Sequence, residues 1–156
     1  MQITIPTPLI KLANLLSFDI FITGGYLRNA ITNLGNSDLD LAGAVSASEF
    51  LLPSDYSVAI VNKRLGTAII KCPTGEQYEY TPFRIESYGA DGKHAPVSVS
   101  FTNDIKSDAL RRDFCCNAMY LNVRTKEFID FFGGKKDCIN KVLRAMSQKR
   151  FLRMMV

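Results

Sequence analysis

Four predicted elements follow one another in DIFITGGYLRNAITNLGNSDLDL, the segment from Asp19 to Leu41. Its first five residues have β-forming composition and end at Gly24-Gly25, a pair that favours a tight turn. Apolar residues then recur at helical spacing up to Gly35, which predicts a helix with a glycine cap. The segment therefore predicts a strand, a glycine turn, a helix and a second strand.

The second strand carries a pair of carboxylates. Asp38-Leu39-Asp40-Leu41 alternates strictly, and successive side chains of a strand point to opposite faces, so both acids share one face. Like charges placed this close repel, and a divalent cation relieves the repulsion. Mg²⁺ is usually held by one or two carboxylates together with substrate phosphates. Asp38 and Asp40 are therefore candidate magnesium ligands, and the alternative is a pair of solvated strand carboxylates.

A third carboxylate from a neighbouring strand would complete a site for two ions, which can activate an attacking hydroxyl and stabilise a leaving pyrophosphate. Glu79, in the segment from Glu79 to Arg84, lies on a later predicted strand. Glu79 is the preferred candidate over Glu76 and Glu86.

Gly24-Gly25 is a candidate phosphate-binding turn. It lies between a strand end and a helix start, where backbone N–H groups and the helix dipole favour an anion. Arg28 lies one helical turn further on and could pair with that anion. The alternative is an ordinary glycine turn without a ligand.

Arg111-Arg112-Asp113, with Asn117, is a candidate nucleotide-binding cluster. Two arginines can hold phosphate and ribose oxygens, and the aspartate could fix the orientation of their guanidinium groups. The alternative is a surface salt bridge without function.

The rest of the chain predicts an α+β fold with a mixed or antiparallel sheet flanked by helices. The predicted helices are residues 7–17 with Thr7 as N-cap, 46–52 with a Ser46–Glu49 capping box, 103–112 and 135–146. The further predicted strands are residues 56–61, 67–71, 77–83, 118–123 and 127–131, and residues 87–96 are predicted to form a mobile loop.

Composition narrows the class of protein. The 156 residues are 47% hydrophobic with a net charge of +4, which is ordinary for one globular domain. The four cysteines contain no Cys-x-x-Cys and there is one histidine, so a zinc site or a secreted disulfide scaffold is not expected. Apolar runs are too short for a spanning helix, which predicts a cytoplasmic protein with no membrane partner.

The positive charge is concentrated at the end of the chain. From residue 135 onward there are seven basic residues and one acid, Asp137, whereas the preceding residues carry a net charge of −2. This asymmetry predicts an RNA or other polyanion contact, with a solvated helix face as the alternative. The candidate RNA-binding residues are Lys135, Lys136, Lys141, Arg144, Lys149, Arg150 and Arg153.

These clusters, in this order, resemble the catalytic head of the class II tRNA nucleotidyltransferases (CCA-adding enzymes) and bacterial poly(A) polymerases, which belong to the polymerase β-like nucleotidyltransferases. The resemblance covers residues 19–146. It is carried by Gly24-Gly25-Tyr26-Leu27-Arg28, Asp38-Leu39-Asp40, Glu79 to Arg84, Arg111-Arg112-Asp113-Phe114, Asn117-Ala118-Met119, Gly133-Gly134 and Leu143-Arg144.

The resemblance implies template-independent transfer of CMP or AMP from CTP or ATP to an RNA 3′ end, with tRNA as the expected acceptor. Asp38 and Asp40 would bind two Mg²⁺ ions, and Glu79 would join them in deprotonating the 3′-hydroxyl. Gly24, Gly25 and Arg28 would cradle the triphosphate. The sugar and phosphates would contact Arg111, Arg112, Asp113 and Asn117. The loop at residues 91–96, with Lys93 and His94, would correspond to the flexible loop of the family.

The end of the chain departs from the family. Family members choose their base with two acids and an arginine in a neck domain, but this sequence has no Asp or Glu after Asp137 and ends at Val156. We therefore expect a head domain at residues 1–146 and a basic segment at 147–156 that could begin a neck.

Two hypotheses follow from the missing base reader. One is a nucleotidyltransferase that is incomplete without further domains; the other is a non-catalytic or split-enzyme module that binds nucleotide or RNA. Apolar residues near the end, such as Leu143 and Phe151, also predict a partner, either a second copy of the chain or a chain that carries the neck and body. The sequence leaves open whether C, A or both are added.

Overall fold

The structure is a computed structural model that describes residues 2–35, 37–90, 96 and 98–147. Its helices are α1 (Thr7–Leu15), α2 (Gly25–Thr32), α3 (Ile105–Leu110) and α4 (Gly134–Asn140). Its strands are β1 (Ile20–Thr23), β2 (Asp40–Gly43), β3 (Ser57–Asn62), β4 (Thr67–Lys71), β5 (Gln77–Pro82), β6 (Arg84–Ser87), β7 (Ser98–Phe101), β8 (Met119–Asn122) and β9 (Phe128–Asp130). No helix within these ranges has the length and apolar character needed to cross a membrane.

In the described part of the chain, seven strands form one sheet in the order β3-β4-β5-β2-β1-β8-β9. β2 and β5 run parallel, and the other neighbouring strands are antiparallel. β6 and β7 pair separately as an antiparallel hairpin. The mixed sheet with flanking helices confirms the predicted α+β class.

The two faces of the sheet bury different clusters. Alternation along β1 and β2 turns Ile22 and Leu41 toward the larger core, which also holds the buried leucines of α1 and α2. Phe21 and Ala42 point the other way, into a smaller cluster that contains Ala109 of α3. The second face therefore lies next to α3 and the arginines that follow it.

The first two helices begin and end differently from the prediction. α1 starts at Thr7, but Pro6 occupies the N-cap position and makes no side-chain cap, so the assignment of Thr7 as N-cap is wrong. α2 ends at Thr32, three residues before Gly35, the predicted cap. Asn33 adopts the left-handed conformation with a φ of 55°, and its N–H bonds to the carbonyl of Asn29. Asparagine tolerates this conformation better than most residues do, so it ends the helix first.

The predicted helix over residues 46–52 is a single 3₁₀ turn, Ala47–Glu49. Ser46 does not form the predicted capping box, since its hydroxyl lies 3.0 Å from the Ser48 hydroxyl and makes no cap. Pro53 explains why the segment does not continue, because a residue that precedes proline is disfavoured in the α conformation.

α4 ends six residues earlier than predicted. It ends at Asn140, and Lys141 follows with a left-handed φ of 56°. Residues 144–146 pair instead with residues 113–115: Cys115 N–H donates to the Arg144 carbonyl at 3.0 Å, and Met146 N–H donates to the Asp113 carbonyl at 2.9 Å. These backbone bonds replace the helical bonds that the apolar spacing predicted.

The hairpin of β6 and β7 is a strand pair that the sequence did not predict. The predicted loop over 87–96 overlaps its first strand at Ser87. Residues 91–95, which include Lys93 and His94, lie outside the described residues.

Candidate active site

The two best-placed acids lie on neighbouring parallel strands. Asp40 is the first residue of β2, and its register partner on β5 is Glu79. Residues paired in register share a face of the sheet, so both side chains belong to the face that meets α3. Both are exposed. Asp38 lies two residues before β2 begins, so its predicted position within the strand is wrong, although it is exposed as the alternation required.

Negative charge accumulates at Asp40. Desolvation by the surrounding protein and the neighbouring carboxylates of Glu79 and Asp38 raise the pKa of Asp40, while Arg112 opposes the rise. A raised carboxyl pKa means that the charged form lacks stabilisation from its surroundings. Asp40 therefore gains from any additional cation.

The glycine turn lies against this acid because of the sheet register. Thr23, the last residue of β1, is the register partner of Asp40, and Gly24 comes next. Gly24 has a φ of 74°, which glycine adopts without strain, and it occupies the N-cap position of α2. A Cβ at this position would lie 3.8 Å from Oδ2 of Asp40 and 4.0 Å from Nη1 of Arg112. Backbone, carboxylate and guanidinium thus meet at one point.

Asp108 holds the two arginines of the predicted cluster. Its side chain is fully buried on α3. Arg111 Nε donates to Asp108 Oδ1 at 2.8 Å, and Arg112 Nη2 donates to Asp108 Oδ2 at 3.2 Å. Burial acts to raise the pKa of Asp108, but Arg112 and Arg111 outweigh it and hold that pKa below its ordinary value. The carboxylate remains charged between its two cations.

Asp113 does not have the role predicted for it. The prediction gave it the task of orienting the guanidinium groups, which Asp108 performs. Asp113 Oδ1 accepts hydrogen bonds from the Phe114 N–H at 2.7 Å and from the Asn117 side-chain amide at 3.0 Å. Asn117 Oδ1 in turn accepts from Arg28 Nη1 at 2.8 Å. These contacts, from Asp113 through Asn117 to Arg28, link the cluster at residues 111–117 to α2.

One cleft of about 400 Å³ contains most of the predicted site. Its lining includes all seven residues predicted to bind nucleotide, together with Asp40, Arg84 and Glu86: the seven are Gly24, Gly25, Arg28, Arg111, Arg112, Asp113 and Asn117. Within the described residues, Asp38 and Glu79 are outside this lining. The sequence clusters at residues 24–28 and 111–117, far apart in the chain, therefore share one cleft.

The carboxylates suit a hard divalent cation by their chemistry. In the ranges that the structure describes, no group of three or more His, Cys, Asp or Glu side chains is arranged to hold a metal ion. The oxygen donors of Asp38, Asp40 and Glu79 are nevertheless of the type that Mg²⁺ prefers. After desolvation, the carboxylates of Glu79 and Asp38 also raise the pKa of Asp40, and a bound cation would offset both effects.

Arg84 and Glu86 of β6 are cleft residues to which the sequence assigned no role in binding nucleotide. Arg84 Nε donates to Glu86 Oε1 at 2.6 Å, and Arg111 Nη1 lies 3.8 Å from the same oxygen. Hydrogen bonds from Tyr88 and Arg84 outweigh the effect of burial and lower the pKa of Glu86. No role was predicted from the sequence for Asp108 or Tyr120 either. The signal available for Asp108 was its spacing, since positions three and four residues before two arginines face them on a helix.

The basic residues predicted to bind RNA are only partly described. Lys135, Lys136, Lys141 and Arg144 are exposed. Arg144 is engaged within the protein: its Nη2 lies 3.1 Å from Asp137 Oδ2 in an ionic contact without hydrogen-bond alignment, and it donates to the Phe132 carbonyl. Lys149, Arg150 and Arg153 lie outside the described residues.

Comparison with known proteins finds similarity to CCA-adding enzymes and to a tRNA nucleotidyltransferase. The CCA-adding enzyme of Streptococcus thermophilus is 34% identical over 146 residues, which cover 92% of this chain and 35% of that protein. The crystal structure of the Bacillus stearothermophilus CCA-adding enzyme in complex with CTP has a TM-score of 0.78 at 25% identity, covering 97% of this chain and 38% of that one. A tRNA nucleotidyltransferase complexed with a primer tRNA and an incoming ATP analog has a TM-score of 0.66 at 25% identity, covering 92% and 40%.

The chain spans about a third of the length of the curated relatives it matches. Residues 20–144 match the family model described as the poly A polymerase head domain. That match includes the glycine turn, the candidate carboxylates and the arginine cluster. The chain therefore belongs to the poly A polymerase head domain family.

Proposed function

We propose that this chain is the catalytic head of a template-independent RNA nucleotidyltransferase that adds CMP or AMP, from CTP or ATP, to the 3′ end of tRNA in the cytoplasm. The observation that carries the proposal is the meeting of Gly24, Asp40 and Arg112 within 4.0 Å of one point. The names of the relatives, which include CCA-adding enzymes, support the same reaction class.

The glycine turn binds the triphosphate. Gly24 and Gly25 present backbone N–H groups at the start of α2, where the helix dipole favours negative charge. Arg28 adds a guanidinium that Asn117 steadies through a 2.8 Å hydrogen bond. The absence of a Cβ at Gly24 leaves room for phosphate oxygens beside Asp40 and Arg112.

The carboxylates make up the metal-binding part of the site. Asp38 and Asp40 would hold two Mg²⁺ ions, and Glu79, the register partner of Asp40, would join them in deprotonating the RNA 3′-hydroxyl. When bound, such ions lower the pKa of the attacking hydroxyl and neutralise charge on the leaving pyrophosphate.

The arginine cluster binds the rest of the nucleotide. Arg111 and Arg112 contact phosphate and sugar oxygens from the wall of the cleft, and Asp113 and Asn117 contact the ribose. Fixed, charged donors in a partly buried cleft bind phosphate more strongly than mobile surface residues do.

The remaining proposals concern the RNA and the rest of the enzyme. Residues 1–146 form the head domain, and the chain corresponds to about a third of the length of the relatives. The exposed ammonium groups of Lys135, Lys136 and Lys141 contact the RNA backbone.

The test is extension of a tRNA that lacks its 3′ end. The chain is incubated with Mg²⁺ and labelled CTP or ATP, alone and with the remaining domains of the Streptococcus thermophilus relative added. We expect labelled tRNA with the wild-type sequence and a loss of at least about 1,000-fold for Asp40→Asn, equivalent to about 4 kcal/mol of transition-state stabilisation. Asp55→Asn, an exposed carboxylate outside the cleft lining, is the matched control and should leave the rate unchanged. Extension that is insensitive to Asp40→Asn would exclude the proposal.

A further inference from the structure

Asp108 and Tyr120 form a buried support under the nucleotide cleft. Both residues have 0% exposure. The Tyr120 hydroxyl donates to Asp108 Oδ2 at 2.6 Å, and the backbone N–H of Arg84 donates to Asp108 Oδ1 at 3.1 Å. With the bonds from Arg111 and Arg112, each carboxylate oxygen accepts two hydrogen bonds from the described residues. A carboxylate has about four acceptor sites, so this one is saturated.

Tyr120 is itself fixed by aromatic packing. Its ring packs edge-on against Phe21, with centroids 6.4 Å apart, and against Phe83, with centroids 6.1 Å apart. Such edge-to-face pairs restrict how the ring can turn. The hydroxyl that reaches Asp108 is therefore presented from a rigid part of the smaller core.

Arg112 is held on two sides by this pair of residues. Its Nη2 donates to Asp108, its Nε donates to the Tyr120 hydroxyl at 3.0 Å, and its Cζ lies 5.2 Å from the centroid of the Tyr120 ring. A guanidinium bonded at both Nε and Nη2 cannot rotate about its last torsion without breaking a bond. Its Nη1 also donates to the Asn117 backbone carbonyl at 3.4 Å, so contacts within the protein fix the orientation of the whole guanidinium relative to the cleft.

Arg111 depends on the same carboxylate. Its Nε bond to Asp108 is 2.8 Å, whereas its contact with Glu86 is longer at 3.8 Å. Arg111 and Arg112 line the cleft together with Glu86 and Arg84, whereas Asp108 is fully buried and does not line it. Asp108 can thus act on a ligand only through the arginines.

We propose that Asp108, supported by Tyr120, is a positioning residue that orients Arg111 and Arg112 for the phosphate and ribose oxygens of the incoming nucleotide. The inference rests on the proposed function and adds to it a buried acid that makes no contact with substrate. Its chemical requirement is two anionic acceptor oxygens, one for each guanidinium.

An amide at this position cannot meet that requirement. Asp108→Asn keeps the shape but has one acceptor oxygen, and its NH₂ group would face a guanidinium donor. We expect the affinity for CTP or ATP to fall about 10- to 100-fold, the range for losing one or two charge-assisted hydrogen bonds. Tyr120→Phe keeps the aromatic packing and removes one hydroxyl, and we expect a fall of about 3- to 10-fold.

The experiment is calorimetric titration of the full chain with CTP, with CMP and with cytidine in Mg²⁺. If Asp108 orients groups that bind phosphate, its substitution weakens the binding of CTP more than the binding of CMP, and the binding of cytidine changes least. If the substitution only destabilised the fold, the apparent affinity for all three ligands would fall in proportion to the unfolded fraction, which thermal unfolding measures independently. Asp104→Asn, at the N-cap of the same helix, is the control, because asparagine caps as well as aspartate and this residue does not line the cleft.

The outcomes separate the two proposals. Absence of CTP binding by the wild-type chain would overturn the proposed function and with it the role of Asp108. Wild-type binding that Asp108→Asn and Tyr120→Phe both leave unchanged would overturn only the positioning role. If Asp108→Asn does not fold, Tyr120→Phe decides. A selective loss of affinity for CTP supports the positioning role. Affinities for CTP, CMP and cytidine that all match the wild-type values contradict it.

Discussion

Replacing Gly24 with alanine should both strain the fold and weaken nucleotide binding, and the two effects can be measured separately. The residue has φ and ψ of 74° and −141°, a conformation that alanine rarely adopts. Holding a non-glycine residue there costs on the order of 1–3 kcal/mol. For a domain of this size that corresponds to a fall in Tm of roughly 2–12 °C. The new methyl group itself meets no clash, since its nearest neighbours are 3.8 Å and 4.0 Å away.

The methyl group would nevertheless occupy the space between Asp40 and Arg112. A phosphate oxygen that needs this space would be displaced, and we expect the affinity for CTP to fall at least about 10-fold, or about 1.4 kcal/mol. Thermal unfolding measures the strain, and calorimetric titration with CTP and Mg²⁺ measures the binding of nucleotide.

Gly75→Ala separates the strain from the loss of binding. Gly75 lies in the turn between β4 and β5 with a φ of 98°, and a Cβ there would meet nothing within 4 Å. Its substitution should lower Tm to a similar degree without changing the affinity for CTP. If Gly24→Ala binds CTP as tightly as Gly75→Ala does, the glycine turn does not contact the phosphates and the reasoning fails.

Three further variants test other parts of the structure. Burial raises the pKa of Tyr78 to about 12, so the folded state favours the neutral phenol. The stability that comes from this preference is fully present below pH 10 and is lost as the pH rises toward 12. Urea titrations should therefore show a smaller loss of unfolding free energy at alkaline pH in Tyr78→Phe than in the wild type. Gly134→Ala would place a Cβ 2.2 Å from the Cys115 carbonyl oxygen, and urea unfolding should show that the free energy of unfolding falls by about 3 kcal/mol. Exchanging Lys135 and Lys136 for glutamine should weaken tRNA binding and reduce the slope of log affinity against log salt by about 1–2, as measured by filter binding.

The sequence predicts the central part of the fold because local signals agree there. Alternation in Asp38-Leu39-Asp40-Leu41 correctly assigned the exposed acids and the apolar side, with Leu41 1% exposed. The glycine pair correctly predicted the junction between β1 and α2. The parallel pairing of Asp40 with Glu79 was not predictable from spacing, because register between strands far apart in the chain depends on tertiary packing.

The end of α4 shows how long-range pairing overrides a local pattern. Val142, Leu143 and Met146 continue the helical spacing, which predicted a helix to residue 146. The structure ends the helix at Asn140 because the following residues form backbone bonds with the Phe114 segment. No property of residues 135–146 alone identifies that partner.

The error over Asp113 has a similar cause. Adjacent residues suggested that Asp113 would orient the arginines, whereas the buried acid is Asp108, one helical turn earlier. Both Asp108 and Asp113 lie close to the two arginines in the sequence, but Asp108 is the one that is fully buried beside them. Burial of Asp108 in turn requires Tyr120 from β8, which the sequence could not place next to α3.

A head-exchange experiment tests the central claim most directly. Residues 1–147 of this chain replace the corresponding head of the Streptococcus thermophilus CCA-adding enzyme, and extension of a tRNA without its 3′ end is measured on a sequencing gel. We predict that the hybrid extends the tRNA and that Asp40→Asn within the exchanged head abolishes extension, while Asp55→Asn does not. A folded hybrid that binds tRNA but extends it no faster than its Asp40→Asn variant would contradict the account.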